Sequence, residues 1–318
     1  MQRIAQQLGC SRTTVSLVLK GKGDQYRISR KTQERIRSYA SRAGYKPDYF
    51  ASALNSRQSG FIAAVFPDVF ESFMGSLVRG MESVLYDRDY TLMISTSRFD
   101  QRREQDLVEK MIYRGAEGLI LVPTMPFRRE GTYRNRYIRE LTDRNFPLVL
   151  VDRCIEGVDA PCILQEDYPL AVSAVSRLIS QGCRRIVCVS FDLRASSIEQ
   201  RLLGYRDAMH AQGLTDTYML LEQQDPEAHD LAELLASQVE TADGFFVTTT
   251  GIAEKLSWLL RQLGREMPIT RFGSVSPYTA RDMTDIPQPH VAMGMKAGET
   301  ILKLIEGEAS SGIIRVSE

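Results

Sequence analysis

Short apolar runs alternate with longer amphipathic segments along residues 60–318. The runs are rich in β-branched and aromatic residues, which is typical of strands, and between them apolar residues recur every three or four positions, which predicts helices. The predicted strands are 61–66, 90–95, 118–122, 148–152, 185–190, 244–248 and 269–273. The predicted helices are 73–88, 101–114, 169–181, 198–212 and 252–263. This alternation predicts parallel sheets with helices on both faces, and the length of the segment predicts two such lobes.

The first 46 residues have a different, wholly helical pattern. Ile4, Ala5 and Leu8 fit one helix face, and Gly9 provides a turn. Ser11 is a good N-cap for a second helix that continues through residue 19, so the pattern predicts a helix-turn-helix. A third helix is predicted over 29–43, with Ser29 as its N-cap.

Boundaries follow from these patterns. We predict a helix-turn-helix domain over 1–46, a hinge helix and polar linker over 47–59, and an effector-binding core over 60–318. The hinge segment, 48–55, is so short that we expect it to fold only when docked on DNA. Within the core we assign about 60–158 and 289–312 to the first lobe, and about 159–288 and 313–318 to the second.

Charge is segregated along the chain, although the total is zero. Residues 1–59 carry twelve Lys and Arg against three Asp and Glu, a net charge of +9, and the remainder carries −9. A compact basic unit on an acidic body is typical of a protein that binds the phosphate backbone of DNA. A merely solvated basic tail would lack the regularly spaced apolar residues.

Several other classes of function find no support in the sequence. It contains no GxSxG, P-loop or HExxH motif, so we expect neither an enzyme nor a bound cofactor. The five cysteines form no CxxC pair and the three histidines are scattered, so we expect no metal site and interpret the cysteines as buried apolar residues. Long apolar segments and a signal peptide are also missing, which favours a cytoplasmic protein.

The exposed face of the second predicted helix has the chemistry of a base-reading surface. Arginine pairs with guanine, threonine and serine hydrogen-bond to base edges, and leucine contacts the thymine methyl group. The candidates on this face are Arg12, Thr13, Ser16, Leu17 and Lys20.

The runs IAQQLGCSRTTVSLVLKGK and YRISRKTQERIRSYASRAGYKPDYFASAL resemble the head and hinge of the lactose/galactose repressor family. The long loop KGKGDQYRISR is similar to that of the fructose repressor branch, the catabolite repressor/activator. The resemblance implies DNA contacts by Ser11, Arg12, Thr13, Thr14, Ser16, Leu17, Lys20, Arg27, Tyr45, Lys46, Ala51 and Leu54. It also implies that Leu54 wedges into the minor groove. Leu17 stands where many members have arginine, which predicts a different half-site preference.

The family resemblance extends over the core and implies a two-lobed fold like that of periplasmic sugar-binding proteins. Ligands of open α/β sheets lie beyond the carboxyl ends of the strands. The effector-binding residues implied there are Phe73, Asp152, Arg201, Thr249 and Ser274. Structural roles are the alternatives: Asp152 as a cap or ion pair in its own loop, Arg201 as a surface cation, and Thr249 and Ser274 as ordinary loop residues. Because Ser274 replaces a common aspartate while Arg201 is kept, we hypothesise a phosphorylated sugar as effector.

The predicted function is regulation of the transcription of carbohydrate metabolism genes, with the protein acting as a repressor. Its predicted partners are a pseudo-palindromic operator, a sugar or sugar phosphate, and a second copy of the chain in a homodimer or a tetramer. A stand-alone sugar-binding protein and a non-specific DNA binder are the alternatives.

Overall fold

The computed structural model describes residues 1–19, 21–45, 59–68, 72–222, 234–235, 238–273 and 283–317. Contacts within the chain divide it into two units, Met1–Ser59 and Gly60–Glu318. The predicted fold class, a helical head followed by a two-lobed α/β core with parallel sheets, is confirmed. The predicted hinge helix over 48–55 lies outside the described residues.

The described part of the head contains three helices, α1 (Gln2–Leu8), α2 (Arg12–Leu19) and α3 (Arg30–Arg42). Gly9 ends α1 in the left-handed conformation, with φ 62°, which is the turn that the sequence predicted. Ser11 Oγ accepts the backbone N–H of Thr14 at 3.0 Å, and Ser29 Oγ accepts that of Thr32 at 3.3 Å. These hydrogen bonds satisfy backbone donors at the first turns of α2 and α3. The core of the head consists of Ile4, Ala5, Val15, Val18, Ile36 and Ala40.

The core unit contains β1 (Phe61–Phe66), α4 (Ser72–Leu85), β2 (Thr91–Thr96), α5 (Gln101–Tyr113), β3 (Leu119–Leu121), α6 (Arg136–Asp143), β4 (Leu148–Val151), β5 (Cys162–Gln165), α7 (Asp167–Ser180), β6 (Ile186–Phe191), α8 (Ser196–His210), β7 (Thr217–Leu221), β8 (Gly244–Val247), α9 (Thr250–Gln262), β9 (Ile269–Phe272), β10 (Met283–Ile286), α10 (His290–Ile305) and β11 (Ile313–Val316). Two short 3₁₀ turns, Tyr86–Arg88 and Arg128–Glu130, complete the described elements.

The first lobe is a six-stranded parallel sheet in the order β11-β5-β4-β3-β1-β2. Helices α4 and α10 cover one face, and α5 and α6 cover the other. Every residue of β1 is buried, because this central strand has a helical layer on both sides.

The second lobe is a five-stranded parallel sheet in the order β10-β9-β8-β6-β7. Helices α7 and α8 cover one face, and α9 packs on the other. Both lobes have the predicted architecture, so strand ends from two sheets are available to line a cleft.

The predicted lobe boundaries need one correction. The predicted boundaries place residues 159–288 and 313–318 in the second lobe, but β5 and β11, which lie in these ranges and were not among the predicted strands, belong to the first sheet. Cys162 of β5 is paired with Leu150 of β4 on one side and with Ile313 of β11 on the other. An apolar run predicts a strand but does not specify which sheet it joins. The chain therefore passes to the second lobe after Gln165, and residues Ile313–Val316 complete the first.

Helices α4 and α10 approach each other through glycines. A Cβ atom on Gly80 would lie 2.1 Å from the carbonyl oxygen of Val291, and one on Gly294 would lie 2.1 Å from that of Leu77. No larger residue fits at either position without moving a backbone, so the two glycines fix the spacing of this pair.

A second correction concerns the cysteines. Cys154 and Cys162 are joined by a disulfide, with their Cα atoms 5.9 Å apart. The interpretation of all five cysteines as buried apolar residues is therefore wrong for this pair, because the pairing of β4 with β5 brings the two together. Cys10, Cys183 and Cys188 carry free thiols. None of the described helices has both the length and the apolar character to span a membrane.

Candidate functional site

The candidate DNA-binding surface is the outer face of α2. Val15 and Val18 are buried against α1 and α3, so the opposite face of the helix is turned away from the head core. Arg12 and Thr13 are exposed, and Ser16 and Leu17 are half-buried. The helix thus presents a cation, two hydroxyl groups and one apolar side chain on one surface, which is a set suited to the major groove.

The other candidates for DNA contact fall into two groups. Ser11 and Thr14 form the N-terminal cap of α2, Arg27 is exposed with φ 53°, and Tyr45 packs against the head core. Four further candidates lie outside the described residues: Lys20, Lys46, Ala51 and Leu54.

A residue that the sequence analysis missed, Gln33, organises the long loop after α2. Its buried amide nitrogen donates to Asp24 Oδ1 and to the carbonyl of Ile28, both at 2.8 Å. A Cβ atom on Gly23 would lie 2.4 Å from the same amide group, so a larger residue there would displace the Gln33 side chain from these hydrogen bonds. A glutamine in an amphipathic helix gives no sign in the sequence that it points inward.

In the core, Asp152 and Arg201 lie beside the ends of strands from different lobes. Asp152 follows β4 with φ 67°, is 9% exposed, and its Oδ2 accepts Arg153 Nε at 2.9 Å. Arg201 lies in α8, is 6% exposed, and donates to Asp167 Oδ1 and to the carbonyl of Thr248, both at 2.7 Å. Its guanidinium group also lies 4.0 Å from the centre of the Phe272 ring. Arg201 is thus not the surface cation of the structural alternative, whereas Asp152 does form the ion pair within its own loop.

Asp167 and Gln165, which the sequence analysis did not select, complete this group. Gln165 donates from Nε2 to Asp167 Oδ1 at 2.7 Å, while its own Oε1 is buried and has no hydrogen-bond partner among the described residues. Burial raises the pKa of the Asp167 carboxyl, and the neighbouring Arg201 opposes this shift. Neither residue was predicted, because β5 was not recognised as a strand that ends at this edge.

His290 is a further residue that sequence reasoning missed. It begins α10, and its ring lies 5.2 Å from that of Phe73, centre to centre. Burial lowers the pKa of His290 to about 4, an effect that the negative charge of Asp152 opposes and the positive charge of Arg201 strengthens. The imidazole is therefore neutral at pH 7. It packs near the ring of Phe73, a predicted site residue, and is close enough to Asp152 and Arg201 for their charges to affect its pKa.

Two hydroxyl candidates remain. Thr249 is the N-cap residue of α9, and its Oγ1 is buried without a hydrogen-bond partner in the part of the chain that the structure describes. Its neighbour Thr248 donates from Oγ1 to Ser190 Oγ at 2.7 Å and supplies the carbonyl that Arg201 binds. Ser274 lies outside the described residues.

The strand ends of the first lobe are held by a buried carboxylate. Ser97 Oγ and Thr124 Oγ1, after β2 and β3, are 2.6 Å apart. Glu104 accepts the backbone N–H of Thr124 at 2.6 Å, the hydroxyl of Tyr137 at 2.6 Å, and that of Tyr133. These hydrogen bonds fix the backbone on the first-lobe side of the cleft.

Beyond β3 the first lobe contacts the second directly. Phe127 forms an isolated antiparallel bridge with Leu193. Arg128 forms ion pairs with Asp192 and Glu199, each at 3.1 Å. The lobes are therefore connected by these contacts as well as through the chain crossovers.

The chemistry of this arrangement suits a small polar ligand. Two arginines, two aspartates, a neutral histidine and two oxygen atoms without a partner among the described residues lie within or beside the buried polar group. A helix-turn-helix head joined to such a two-lobed core defines the class of ligand-responsive DNA-binding regulators.

Comparison with known proteins agrees with this class. Residues 1–48 match the bacterial regulatory proteins of the lacI family, and residues 175–314 match the periplasmic binding protein-like domain. The head and the core thus each match one of the two domains of lacI-type regulators, and the chain is similar to DNA-binding transcription regulators of that family.

Individual relatives are distant. The chain is 25% identical over 217 residues to the fructose operon regulatory protein of Vibrio cholerae, an alignment that spans 68% of this chain and 65% of that protein. It is 22% identical over 310 residues to the ribose operon repressor of Halalkalibacterium halodurans, spanning 95% and 89% of the two chains. A lacI-family regulator from Silicibacter pomeroyi has the same fold, with a TM-score of 0.77 at 18% identity over 98% of this chain and 95% of that one.

Proposed function

We propose that the protein is a repressor of genes for carbohydrate use, and that a small sugar bound between the core lobes controls its affinity for a specific operator. The observation that carries the proposal is the buried polar group around Asp152, Asp167 and Arg201, on a chain that also has a helix-turn-helix head. Two relatives are named for the fructose and ribose operons, which supports a sugar as the effector.

The charge balance of the described cleft favours a neutral sugar. Arg153 is paired with Asp152, and Arg201 is paired with Asp167, so each cation already has a buried carboxylate partner. A phosphate would have to compete with these carboxylates, whereas sugar hydroxyls can donate to Gln165 Oε1 and exchange hydrogen bonds with Thr249 Oγ1. The phosphorylated sugar suggested by Ser274 is therefore the second candidate, and both classes belong in the test.

DNA recognition is assigned to the outer face of α2. Arg12 and Thr13 supply base contacts in the major groove, with Ser16 and Leu17 beside them. Ser11, Thr14, Lys20, Arg27, Tyr45, Lys46 and Ala51 are assigned to backbone and flanking contacts, and Leu54 to the minor-groove wedge.

Two copies of the chain read the two halves of a pseudo-palindromic operator in the cytoplasm. Sugar binding changes the angle between the lobes and thereby the probability that the paired hinge segments fold on DNA. Operator and sugar then alter each other's affinity by the same factor, because linkage is reciprocal.

The test is selection from a randomised palindromic duplex pool, followed by anisotropy titration of the enriched sequence with a panel of neutral sugars and sugar phosphates. One enriched palindrome whose affinity changes with one compound supports the proposal. Binding that depends on salt alone would indicate a non-specific DNA binder. Sugar binding without any DNA binding would indicate a stand-alone sugar-binding protein.

A pair of variants separates base reading from general charge. Arg12→Ala should weaken binding by about 1–3 kcal/mol and relax specificity at one base pair. Arg42→Ala, which removes the same charge from the last turn of α3, should leave the sequence preference unchanged. Equal loss of specificity in both variants would contradict the assignment of Arg12.

A further inference from the structure

The disulfide of Cys154 and Cys162 fastens a loop to the edge of the first sheet. Cys162 is 3% exposed and is held by its strand neighbours, since its N–H donates to the carbonyl of Gly312 at 3.0 Å. Cys154, in contrast, lies in the segment 152–161, which we call the cleft loop, and is half-buried. The bond therefore ties a loop residue to a fixed one.

The cleft loop carries groups of the candidate ligand site. It begins with Asp152 and Arg153, the buried ion pair, and Cys154 follows directly. The N–H of Cys154 donates to Ser196 Oγ at 3.2 Å, across to the second lobe. Ser196 is the first residue of α8, the helix that holds Arg201. Cys154 thus links the loop that carries Asp152 to the helix that carries Arg201.

We propose that Cys154 and Cys162 are a reversible redox site that couples the thiol–disulfide balance of the cell to the effector cleft. The co-reactant is a low-molecular-weight disulfide such as oxidised glutathione. The regulatory meaning of this site rests on the proposed function, whereas formation of the bond does not. Disulfides of proteins that act in the cytosol are characteristically redox-sensing rather than permanent.

The exchange balances in two steps. The Cys154 thiolate, on the accessible loop, attacks one sulfur of the small disulfide, releases one small thiolate and forms a mixed disulfide. The Cys162 thiolate then attacks the Cys154 sulfur and releases the second small thiolate. The protein loses two electrons and two protons, and the small disulfide takes up both to become two thiols.

Reduction leaves the cleft loop folded but removes its tether. Asn135 Nδ2 still donates to the carbonyl of Glu156 at 2.9 Å, and the buried Ile155 still packs in the first lobe. The change is therefore concentrated at Asp152, Arg153 and Cys154, and at the hydrogen bond to Ser196.

The first measurement is the mass of the full chain after equilibration with reduced or oxidised glutathione. We expect the oxidised form to lose two hydrogen masses and two titratable thiols, and reduced glutathione to restore both. Cleavage with endoproteinase Asp-N before Asp159 separates the two cysteines in sequence, so the fragments stay together only if the bond has formed. Cys10→Ser is the control that should leave this loss unchanged, since Cys10 lies in the head.

The second measurement is amide hydrogen exchange of the same two forms without DNA or sugar. Exchange at Cys154 should be about fivefold slower in the oxidised form, the factor that one hydrogen bond of about 1 kcal/mol gives. Five titratable thiols in the oxidised protein, or a bond to a different cysteine, would overturn the redox site. Identical exchange of the cleft loop in both forms would overturn its coupling to the cleft. Neither result depends on the proposed regulation of an operator.

Discussion

Replacing Arg201 with methionine removes the cation from the buried ion pair while keeping much of the apolar stem. The side chains of Arg201 and Asp167 are 8% and 5% exposed, so water cannot replace the lost partner. Leaving one charge of a buried pair uncompensated costs about 3–5 kcal/mol. We expect Arg201→Met to lower the free energy of unfolding of the second lobe by that amount at pH 7.

Part of this cost should be recovered by removing the second charge. The double variant Arg201→Met/Asp167→Asn has no unpaired carboxylate. It still lacks the hydrogen bond to the Thr248 carbonyl and the contact with the Phe272 ring, each of which contributes about 1 kcal/mol. We therefore expect the double variant to be destabilised by about 2 kcal/mol, and so to be more stable than the single variant.

The pH dependence has a defined sign. Arg201 opposes the rise that burial causes in the pKa of Asp167, so that pKa is higher in the single variant. The folded variant then binds the proton more tightly than the unfolded chain does. Its destabilisation should shrink as the pH falls through the raised folded pKa, and the double variant should not show this recovery.

Urea unfolding of the full chain at pH 7.5 and pH 5.5 measures both effects. The single tryptophan, Trp258, lies in α9 and reports on the second lobe. A double variant no more stable than Arg201→Met, or a cost that is the same at both pH values, would refute an uncompensated Asp167 charge.

Three further predictions concern stability. Gly80→Ala should destabilise the core by about 1–3 kcal/mol, because the added Cβ meets the Val291 carbonyl. The control Gly75→Ala, in the same helix, meets nothing within 4 Å and should stabilise the core by up to about 1 kcal/mol. Equal denaturation midpoints for the two variants would contradict the close approach of the helices. Because burial lowers the pKa of His290 from 6.5 to about 4, about 3 kcal/mol of stability should be lost as the pH falls through this range. His290→Phe should therefore reduce the slope of the unfolding free energy against pH between pH 6.5 and about 4. An unchanged slope would exclude His290 as the source of the pH dependence. Ser11→Ala should lower the stability of α2 by about 1 kcal/mol, because the N-cap hydrogen bond is lost. Amide hydrogen exchange in α2 should be faster in the variant, with α3 as the internal control. Unchanged exchange would show that the cap does not stabilise the helix.

The architecture could be predicted from local sequence patterns because its signals are local. The N-caps of α2 and α3 are serines that accept a backbone N–H three residues later, and the turn after α1 is a glycine with positive φ. In the core, buried strands such as β1 are apolar throughout because helices cover both faces of the sheet. Among the cleft candidates, Asp152 and Arg201 were found through family resemblance, and the structure buries both.

Contacts between residues far apart in the chain could not be predicted from the sequence. The assignment of β5 and β11 to the first sheet depends on lateral pairing, which an apolar run does not encode. The partner of Arg201, Asp167, lies 34 residues away, and the strand that positions it was not recognised.

Local sequence determined the helical head and the alternation of strands and helices in the core, although it did not predict β5, β7, β10 or β11. Segregated charge indicated which unit binds DNA. Capping, periodicity and net charge can be used in this way because they are properties of neighbouring residues. Only the tertiary structure decided that the two cleft arginines are already neutralised, that Cys154 meets Cys162, and that His290 is uncharged. Those properties arise from burial and from contacts between strands and lobes, which exist only once the chain has folded.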